Sequence, residues 1–512
     1  MKKLNIVIIL LSISALMSAP VDSDSSLRVA QNIYKQFSPS KSLESFNISR
    51  IETIKSESDY TLMYIYHLDP VGFIIVSGTD KALPCLAYGF ESQFKTENMP
   101  GNLLGVINTY KSELADHIHS NLSQRSDINE KWNLYLSAEP IFPETRNVNP
   151  LMDEEFDQSG SWNNLVQSEI GFNAPVGCVA VAMSQIMHYW KHPYTGEGSN
   201  SYSDNGVFLS ANFASTYYDF DAMPNTYASA ASQLLLFHTG VSVNMDYDNS
   251  GSGAWVFGSY PSSEYAMENY FKYHSNIYHM YKSSNNESIF REAIEEDLEN
   301  SLPILMVGYG SGYGGGHAWN IDGYQGTNLH CNWGWGGYSN GYFNLTTMGG
   351  FPDDQGALLS IYPRDLENPI ALYDFYADAS TVYFYDLSSE INTEELRNWY
   401  WNFDDGNSLT TTTGDISHTF AITGSYDVEL VVENIYGMMS DPFVETIDVV
   451  AASQGDLNLD GNLDVLDVVT MVNFVLGGSD PTESELFIGD MNTDGLINIQ
   501  DIILLIDAIV NP

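Results

Sequence analysis

A cysteine at position 178 stands between a glycine and an apolar stretch, in APVGCVAVAMSQIMHYW (174–190), and a histidine at 317 closes a glycine-rich run, in YGGGHAWNIDGY (313–324). Pro175 and Gly177 ahead of VAVAMSQIMHYW predict a helix that begins at the cysteine. The unpaired N–H groups and dipole of a helix N-terminus favour negative charge, so the expectation is a lowered thiol pKa and a nucleophilic thiolate. Such a nucleophile needs a proton carrier. Of the 11 histidines, His317 is the most suggestive, because it sits where a loop meets a strand and its ring can face a cleft. Downstream, HCNWGWGGYSNGYF (330–343) supplies Asn332, Trp333 and Trp335 to orient and shield an imidazole. Cysteine, then histidine, then an Asn/Trp-rich turn is an order suited to acyl transfer through a thioester.

These segments, together with DQSGSWNN (157–164), resemble the streptopain family of papain-like cysteine peptidases. The likeness extends upstream, where GFIIVSGTDKALPCLAYG (72–89) is similar to that family's N-terminal inhibitory propeptide. The resemblance implies that Cys178 is the nucleophile and His317 the general base. It implies that Gln158 and the backbone N–H of Cys178 form the oxyanion hole, and that Asn332 or Trp333 orients the histidine. Protein or peptide substrates, no catalytic cofactor and activation by cleavage within SAEPIFPETRNVNP (137–150) follow from the same likeness. A reading of another class is an inactive papain-like domain in a surface-bound or scaffold-bound binding or adhesion protein, and a third is an amidase or acyl transferase on the same pair.

The elements that must hold these residues divide the chain. Residues 1–19 read as an export signal, with two lysines, an apolar run too short for the roughly 20 residues of a membrane span, and small residues at its end. Residues 20–140 form the α+β propeptide, in which LMYIYHLDPVGFIIVSG predicts a strand pair turning at DPVG. Residues 145–363 mix one strong helix with strands such as PILMVGY and HAWNIDGY, an α+β catalytic domain. Residues 366–450 alternate apolar and polar positions over short runs, which predicts an all-β sandwich. There WNFDDGNS, HTF and GSYDVELVV resemble a PKD-type domain, with Asp404 where that family more often has glycine.

The tail, 454–512, carries an internal repeat, DLNLDGNLDVLD (456–467) and DMNTDGLINIQD (490–501). Each loop has oxygen-bearing side chains at its first, third, fifth, ninth and twelfth positions and glycine at the sixth, the spacing with which a flexible loop wraps Ca²⁺. The predicted ligands are Asp456, Asn458, Asp460, Asp464 and Asp467, and Asp490, Asn492, Asp494, Asn498 and Asp501, with the backbone carbonyls of Asn462 and Leu496. An apolar helix follows each loop and no full helix precedes either. That pattern resembles a dockerin domain, a small α-helical module, and implies a structural Ca²⁺ and a cohesin-like or cell-surface partner meeting Val465, Leu466, Ile499 and Gln500.

Composition narrows the address. With 19 Lys plus Arg against 66 Asp plus Glu, the net charge of -47 opposes nucleic acid and anionic membranes. Three cysteines cannot all pair, so no disulfide framework is expected in this exported chain, and Cys85 and Cys331 read as buried core residues. His188 and His192 have the i, i+4 spacing of a zinc pair but lack the accompanying glutamate, and read as structural. GSGYGG (310–315) matches a dinucleotide glycine pattern but leads into a strand, so it reads as a mobile loop beside the site.

Overall fold

The computed structural model describes residues 20–511 except 121–122, 144–145, 310–315, 350, 365, 367, 379, 390–395, 422–423, 435–437 and 450–452. The expected export signal and the 310–315 loop therefore lie outside the described residues. The chain divides into two units, Met1–Asp365 and Leu366–Pro512.

In the first unit the expected hairpin forms from strands Thr61–Leu68 and Phe73–Ser77, closed by the Leu68 N–H on Gly72 O at 2.9 Å. Its strands do not make a sheet of their own. Ile48–Lys55, Thr61–Leu68, Phe73–Ser77 and Cys85–Gly89 run straight on into Gly341–Phe343, Asn328–Asn332, His317–Gln325, Ile304–Gly308, Gln355–Leu359 and Tyr278–Tyr281, as one antiparallel sheet. The junction pairs Tyr88 with Tyr342 and Ala87 with Phe343. The propeptide and the strands that carry His317 and Asn332 thus share one sheet and one apolar core, in which Val106, Tyr110 and Trp132 pack in the same cluster as Trp319, Trp333 and Phe343. A second core gathers around the helix Cys178–Tyr189, buried from Cys178 to His188, and the helix Ala230–Ser242.

The second unit holds the expected sandwich. One sheet is Tyr373–Asp378, Thr381–Asp386 and Ile416–Thr419, and the other is Ser408–Thr411, Leu396–Asn402, Gly424–Asn434 and Phe443–Val449. Phe384, Trp401, Val428 and Leu430 fill the core. Asp404 has φ 57°, the left-handed region, which is why glycine suits the position. Aspartate tolerates that conformation by local hydrogen bonding, and here its Oδ2 accepts from Asp427 N–H at 3.3 Å. The tail packs Val465–Val475 and Ile499–Val510 over Leu457, Met471 and Ile488. A helix of 7 residues, Glu483–Gly489, leads into the second loop, short of a full helix, as the spacing predicts.

An ion-pair relay crosses the shared sheet. His330 donates from Nδ1 to Asp322 Oδ1 and from Nε2 to Glu91 Oε1, both at 2.6 Å, and Glu91 belongs to the propeptide. Burial pulls this imidazole down, but the two carboxylates override it and hold its pKa up at about 10. Tyr342 packs edge-on to it at 5.0 Å. A group whose folded pKa is raised stabilises the fold fully below its ordinary value of 6.5 and loses that contribution as pH climbs through about 10. Glu91, held below its ordinary range by His330, acts in the opposite sense and loses its contribution on acidification. In a Cys178→Ala background, Glu91→Gln is expected to lower denaturant stability of the first unit by about 1 kcal/mol, since the carboxylate is half exposed and screened. The loss should be largest between the ordinary pKa values of the two partners, 4.5 and 6.5, and fade towards pH 10; a pH-independent difference would contradict the ion-pair account.

Candidate active site

Gly177 makes the turn that aims the cysteine. Its φ is 98°, and a Cβ there would lie 2.7 Å from the sulfur of Met245, so no other residue fits without strain. The helix begins at Cys178 as expected, with Val181 N–H on Gly177 O at 3.1 Å. Gln158 is brought beside it by its own backbone, whose carbonyl accepts from Val176 N–H at 2.8 Å, two residues before the nucleophile position.

The strand His317–Gln325 delivers the histidine. The N–H of Ala318, the residue after His317, points at Cys178 Sγ at 3.4 Å, so 139 residues of intervening chain close onto one spot. The thiol itself departs from the expectation of a lowered pKa. Burial pushes it above the ordinary thiol range, against the opposing pull of the Ala318, Val179 and Cys178 N–H groups. Cys178 is 8% exposed, and in this closed state loss of solvent outweighs the helix terminus.

The propeptide supplies part of the closure. Its helix Gly101–His119 begins against His317, and a Cβ on Gly101 would lie 2.0 Å from His317 Cε1 and 2.3 Å from Nε2. The next residue, Asn102, is buried and donates both Nδ2 hydrogens, to Ala318 O at 2.9 Å and to Trp333 O at 3.0 Å. Neither Gly101 nor Asn102 was foreseen. Their only sequence signal is a helix start after Pro100, more than 200 positions from His317.

Of the two candidates for orienting the imidazole, Asn332 is engaged elsewhere. Its Oδ1 accepts from Gln185 Nε2 at 3.1 Å and Gly334 N at 3.2 Å, and its Nδ2 donates to Glu154 O at 2.7 Å. With both lone pairs of Oδ1 used, Asn332 braces the aromatic turn against the helix. Trp333 is buried, donates Nε1–H to Ser339 O at 3.0 Å, and lies 5.6 Å from the Trp319 ring. The remaining sequence readings resolve simply. His188 is buried between Glu154 Oε1 at 2.7 Å and Met223 O at 2.8 Å, and His192 bonds to Lys272 O at 3.1 Å, so the two are structural. Cys85 and Cys331 are buried and unpaired to any other cysteine, and burial pushes the Cys85 thiol up to about 12.

The two loops of the tail are built alike. Asp467 accepts from Asn458 and Asp464 N–H at 3.1 and 2.9 Å, as Asp501 does from Asn492 and Asn498 at 3.2 and 2.9 Å. Asp456 receives Gly461 N–H at 2.8 Å, and Asp490 receives Gly495 N–H at 2.6 Å. Asp460 and Asp494 receive the N–H groups of Asn462 and Leu496 at 2.9 and 3.1 Å. Among the described residues these carboxylates do not converge three at a time on one point, being turned onto the loop backbone. The donor set nevertheless suits a hard cation, since it is all oxygen and Asp456, Asp467 and Asp501 are fully buried. Burial raises the pKa of Asp456, and the charges of Asp467 and Asp460 raise it further, a concentration of negative charge that a cation would relieve. Val465, Leu466, Ile499 and Gln500 all face solvent.

A thiol at a helix start, an adjoining strand that begins at histidine and a prosegment helix set against that histidine are the arrangement expected of a papain-like thiol peptidase domain behind its propeptide. Comparison with known proteins agrees. Residues 156–343 match the Peptidase C10 family, 18–114 the Spi protease inhibitor family, 367–449 a PKD domain and 454–510 a dockerin type I domain. The chain therefore carries a C10 peptidase domain of the streptopain family behind its inhibitory propeptide, followed by PKD and dockerin domains. It is 27% identical over 363 residues to streptopain of Streptococcus pyogenes, covering 63% of this chain and 86% of that one. It is 26% identical over 419 residues to the thiol protease/hemagglutinin PrtT of Porphyromonas gingivalis, covering 76% of this chain but only 46% of that protein. A prointerpain A fragment of Prevotella intermedia superposes with a TM-score of 0.49 at 22% identity, over 61% of this chain and 98% of the fragment.

Alkylation of Cys178 by iodoacetamide in the full chain is expected to have its pH midpoint above the ordinary thiol range, and the midpoint should fall once the propeptide is removed. Gly101→Ala, which cannot coexist with the present His317 ring position, should speed alkylation of the unprocessed chain severalfold. A rate unchanged by either manipulation would mean that the propeptide does not hold the site closed.

Proposed function

We propose that this protein is a secreted cysteine endopeptidase made as a zymogen, in which Cys178 and His317 form the thiolate–imidazolium pair. The observation that carries the reading is the placement of Cys178 Sγ against the His317–Ala318 strand, with the Gly101–Asn102 corner of the propeptide over the histidine. On release of the propeptide the thiol gains solvent and His317 takes its proton. The thiolate attacks the peptide carbonyl, and the oxyanion is held by the Gln158 side chain and the Cys178 N–H. His317 then protonates the departing amine, and water hydrolyses the thioester. Trp333 shields the histidine from solvent, while Asn332 keeps the turn in place. The chemistry needs no metal or cofactor.

The domain limits we assign are 1–19 for the export signal, 20–140 for the propeptide, 145–363 for the peptidase, 366–450 for the sandwich and 454–512 for the dockerin-like tail. The tail takes Ca²⁺ through its two loops, with Asp456, Asn458, Asp460, Asp464 and Asp467 and their counterparts in the second loop as side-chain ligands. It docks to a cohesin-like or cell-surface protein, which would anchor the secreted enzyme. Among the described residues no helix is long and apolar enough to cross a membrane.

Purified full-length protein under reducing conditions should lose its propeptide and hydrolyse casein, whereas Cys178→Ala should do neither. Gln158→Ala should lower kcat by about 10²–10³-fold, as loss of one oxyanion donor does. If the chain cleaves nothing even after another protease has removed the propeptide, the peptidase reading is wrong. For the tail, EDTA is expected to lower the melting temperature of the dockerin-like module in the full chain, and Asp467→Ala with Asp501→Ala should abolish that response. Casein hydrolysis by the processed enzyme should persist in EDTA, and its loss would place the cation in the catalytic unit.

A further inference from the structure

The aromatic turn that follows Trp333 holds a second arrangement that catalysis does not use. Gly336 N–H donates to Phe156 O at 3.1 Å, which seats the turn directly on the segment leading to Gln158. Trp335 and Tyr338 stand on this turn with ring centroids 6.1 Å apart and planes inclined at 64°. Two carboxylates lie against the backbone of the same turn. A Cβ on Gly336 would be 3.0 Å from Asp157 Oδ2, and one on Gly337 would be 2.8 Å from Glu155 Oε1. The two glycines have φ of 61° and 74°, so the backbone is held against the carboxylates in a conformation other residues rarely adopt.

The propeptide places a cation on this face. Lys95 Nζ lies 2.8 Å from the centre of the Tyr338 ring and 5.3 Å from that of Trp335. The segment is fixed there by its backbone, with Ser339 N–H on Gln93 O at 3.0 Å and Lys95 N–H on Ser339 Oγ at 3.2 Å. Ser92 adds a bond from its hydroxyl to Asn340 O at 2.6 Å. Burial raises the pKa of Asp157 against the pull of hydrogen bonds from Ser159 and Gln158, to which the Lys95 charge adds a smaller pull. An ammonium over two electron-rich rings, with a half-buried carboxylate against the same turn, is a recognition site for a basic side chain. Lysine and arginine together number 19 in this chain, so a lysine in this place is uncommon for the composition.

We propose that Trp335 and Tyr338, backed by Asp157, form a substrate subsite for lysine or arginine, and that Lys95 occupies it in the latent chain as a substrate side chain does after activation. The proposal rests on the peptidase reading. The subsite adjoins the cleft because Asp157 precedes Gln158 and Trp335 follows Trp333, so a peptide bound across Cys178 passes within reach of it. The propeptide then blocks the site twice, with Gly101 and Asn102 at the histidine and with Lys95 on the two rings.

The test uses enzyme processed from the full chain and sets of peptides that vary one position at a time, on each side of the scissile bond, through lysine, arginine, norleucine and glutamate. One position should favour lysine and arginine over norleucine by about tenfold in kcat/KM, the order expected of a partly desolvated cation–π contact, with glutamate poorest. Tyr338→Ala and Trp335→Ala should each shrink that ratio to about twofold or less, and Tyr338→Phe, which keeps the ring, should retain it. In the unprocessed chain Lys95→Met should hasten propeptide loss and Lys95→Arg should not. Hydrolysis of the peptides with no position favouring a base, or a preference that survives both alanine variants, overturns the subsite and leaves the peptidase reading standing. Failure of wild-type enzyme to cleave either these peptides or casein overturns the peptidase reading, and the subsite with it.

Discussion

The latent arrangement turns on one side-chain amide. Asn102 gives its two Nδ2 hydrogens to Ala318 O and Trp333 O, the carbonyls that flank the histidine strand and the aromatic turn. Both acceptors are out of contact with solvent, and a buried carbonyl without a partner costs about 1–3 kcal/mol. The propeptide therefore supplies what the catalytic domain lacks at this point, and its helix start, which puts Gly101 on the His317 ring, follows from satisfying that pair. Removal of the propeptide leaves two carbonyls in need of donors beside the cleft.

The grip is not local to Asn102. Strand Cys85–Gly89 completes the edge formed by Gly341–Phe343, so inhibitor and enzyme satisfy each other's main-chain groups as neighbouring strands of any sheet do. Tyr110 adds its hydroxyl to Leu86 O and Asn344 O, one on each side of the junction. Their common core means that the apolar surface freed on separation includes Phe343, which must repack or be wetted. Such a joint resists simple dissociation. Cutting the propeptide would remove the covalent advantage that keeps its strands at high effective concentration.

The chemistry was legible where it demanded particular residue types. Cys178 behind Gly177 and His317 at the head of a strand are of the types that the proposed nucleophile and base must be, and these constraints are local. Direction is not local. Asn332 has the right type and sits near the site, yet its pairing with Asn320 across the strands turns the amide to Glu154 and Gln185. A register shift between Ile321 and Gly323 in that pairing removes the simple alternation from which a side chain's face could be inferred. Nor did the sequence reveal the thiol's raised pKa. The helix terminus is visible in a sequence and favours the thiolate, whereas burial, which wins here, depends on what distant segments pile over the cysteine. His330 shows the same gap. Nothing near it in HCNWGW suggests Asp322 on one side and Glu91, 239 positions away, on the other.

In the tail the spacing read as cation ligation also does a second job. Asp464 and Asn498 are the N-caps of the helices Val465–Val475 and Ile499–Val510, and Asp467 and Asp501 complete reciprocal capping boxes three residues on. The ninth and twelfth loop positions therefore hold the helix starts whether or not a cation is present. Each oxygen of Asp467 accepts a single backbone N–H, which leaves lone pairs available for a metal. Asp456 is poorer in this respect, because its burial and its acidic neighbours disfavour its charge. The capping boxes hold the helix starts by themselves, and the first half of each loop, where like charges crowd together with no lysine or arginine nearer in sequence than Arg397, is the part a cation would steady.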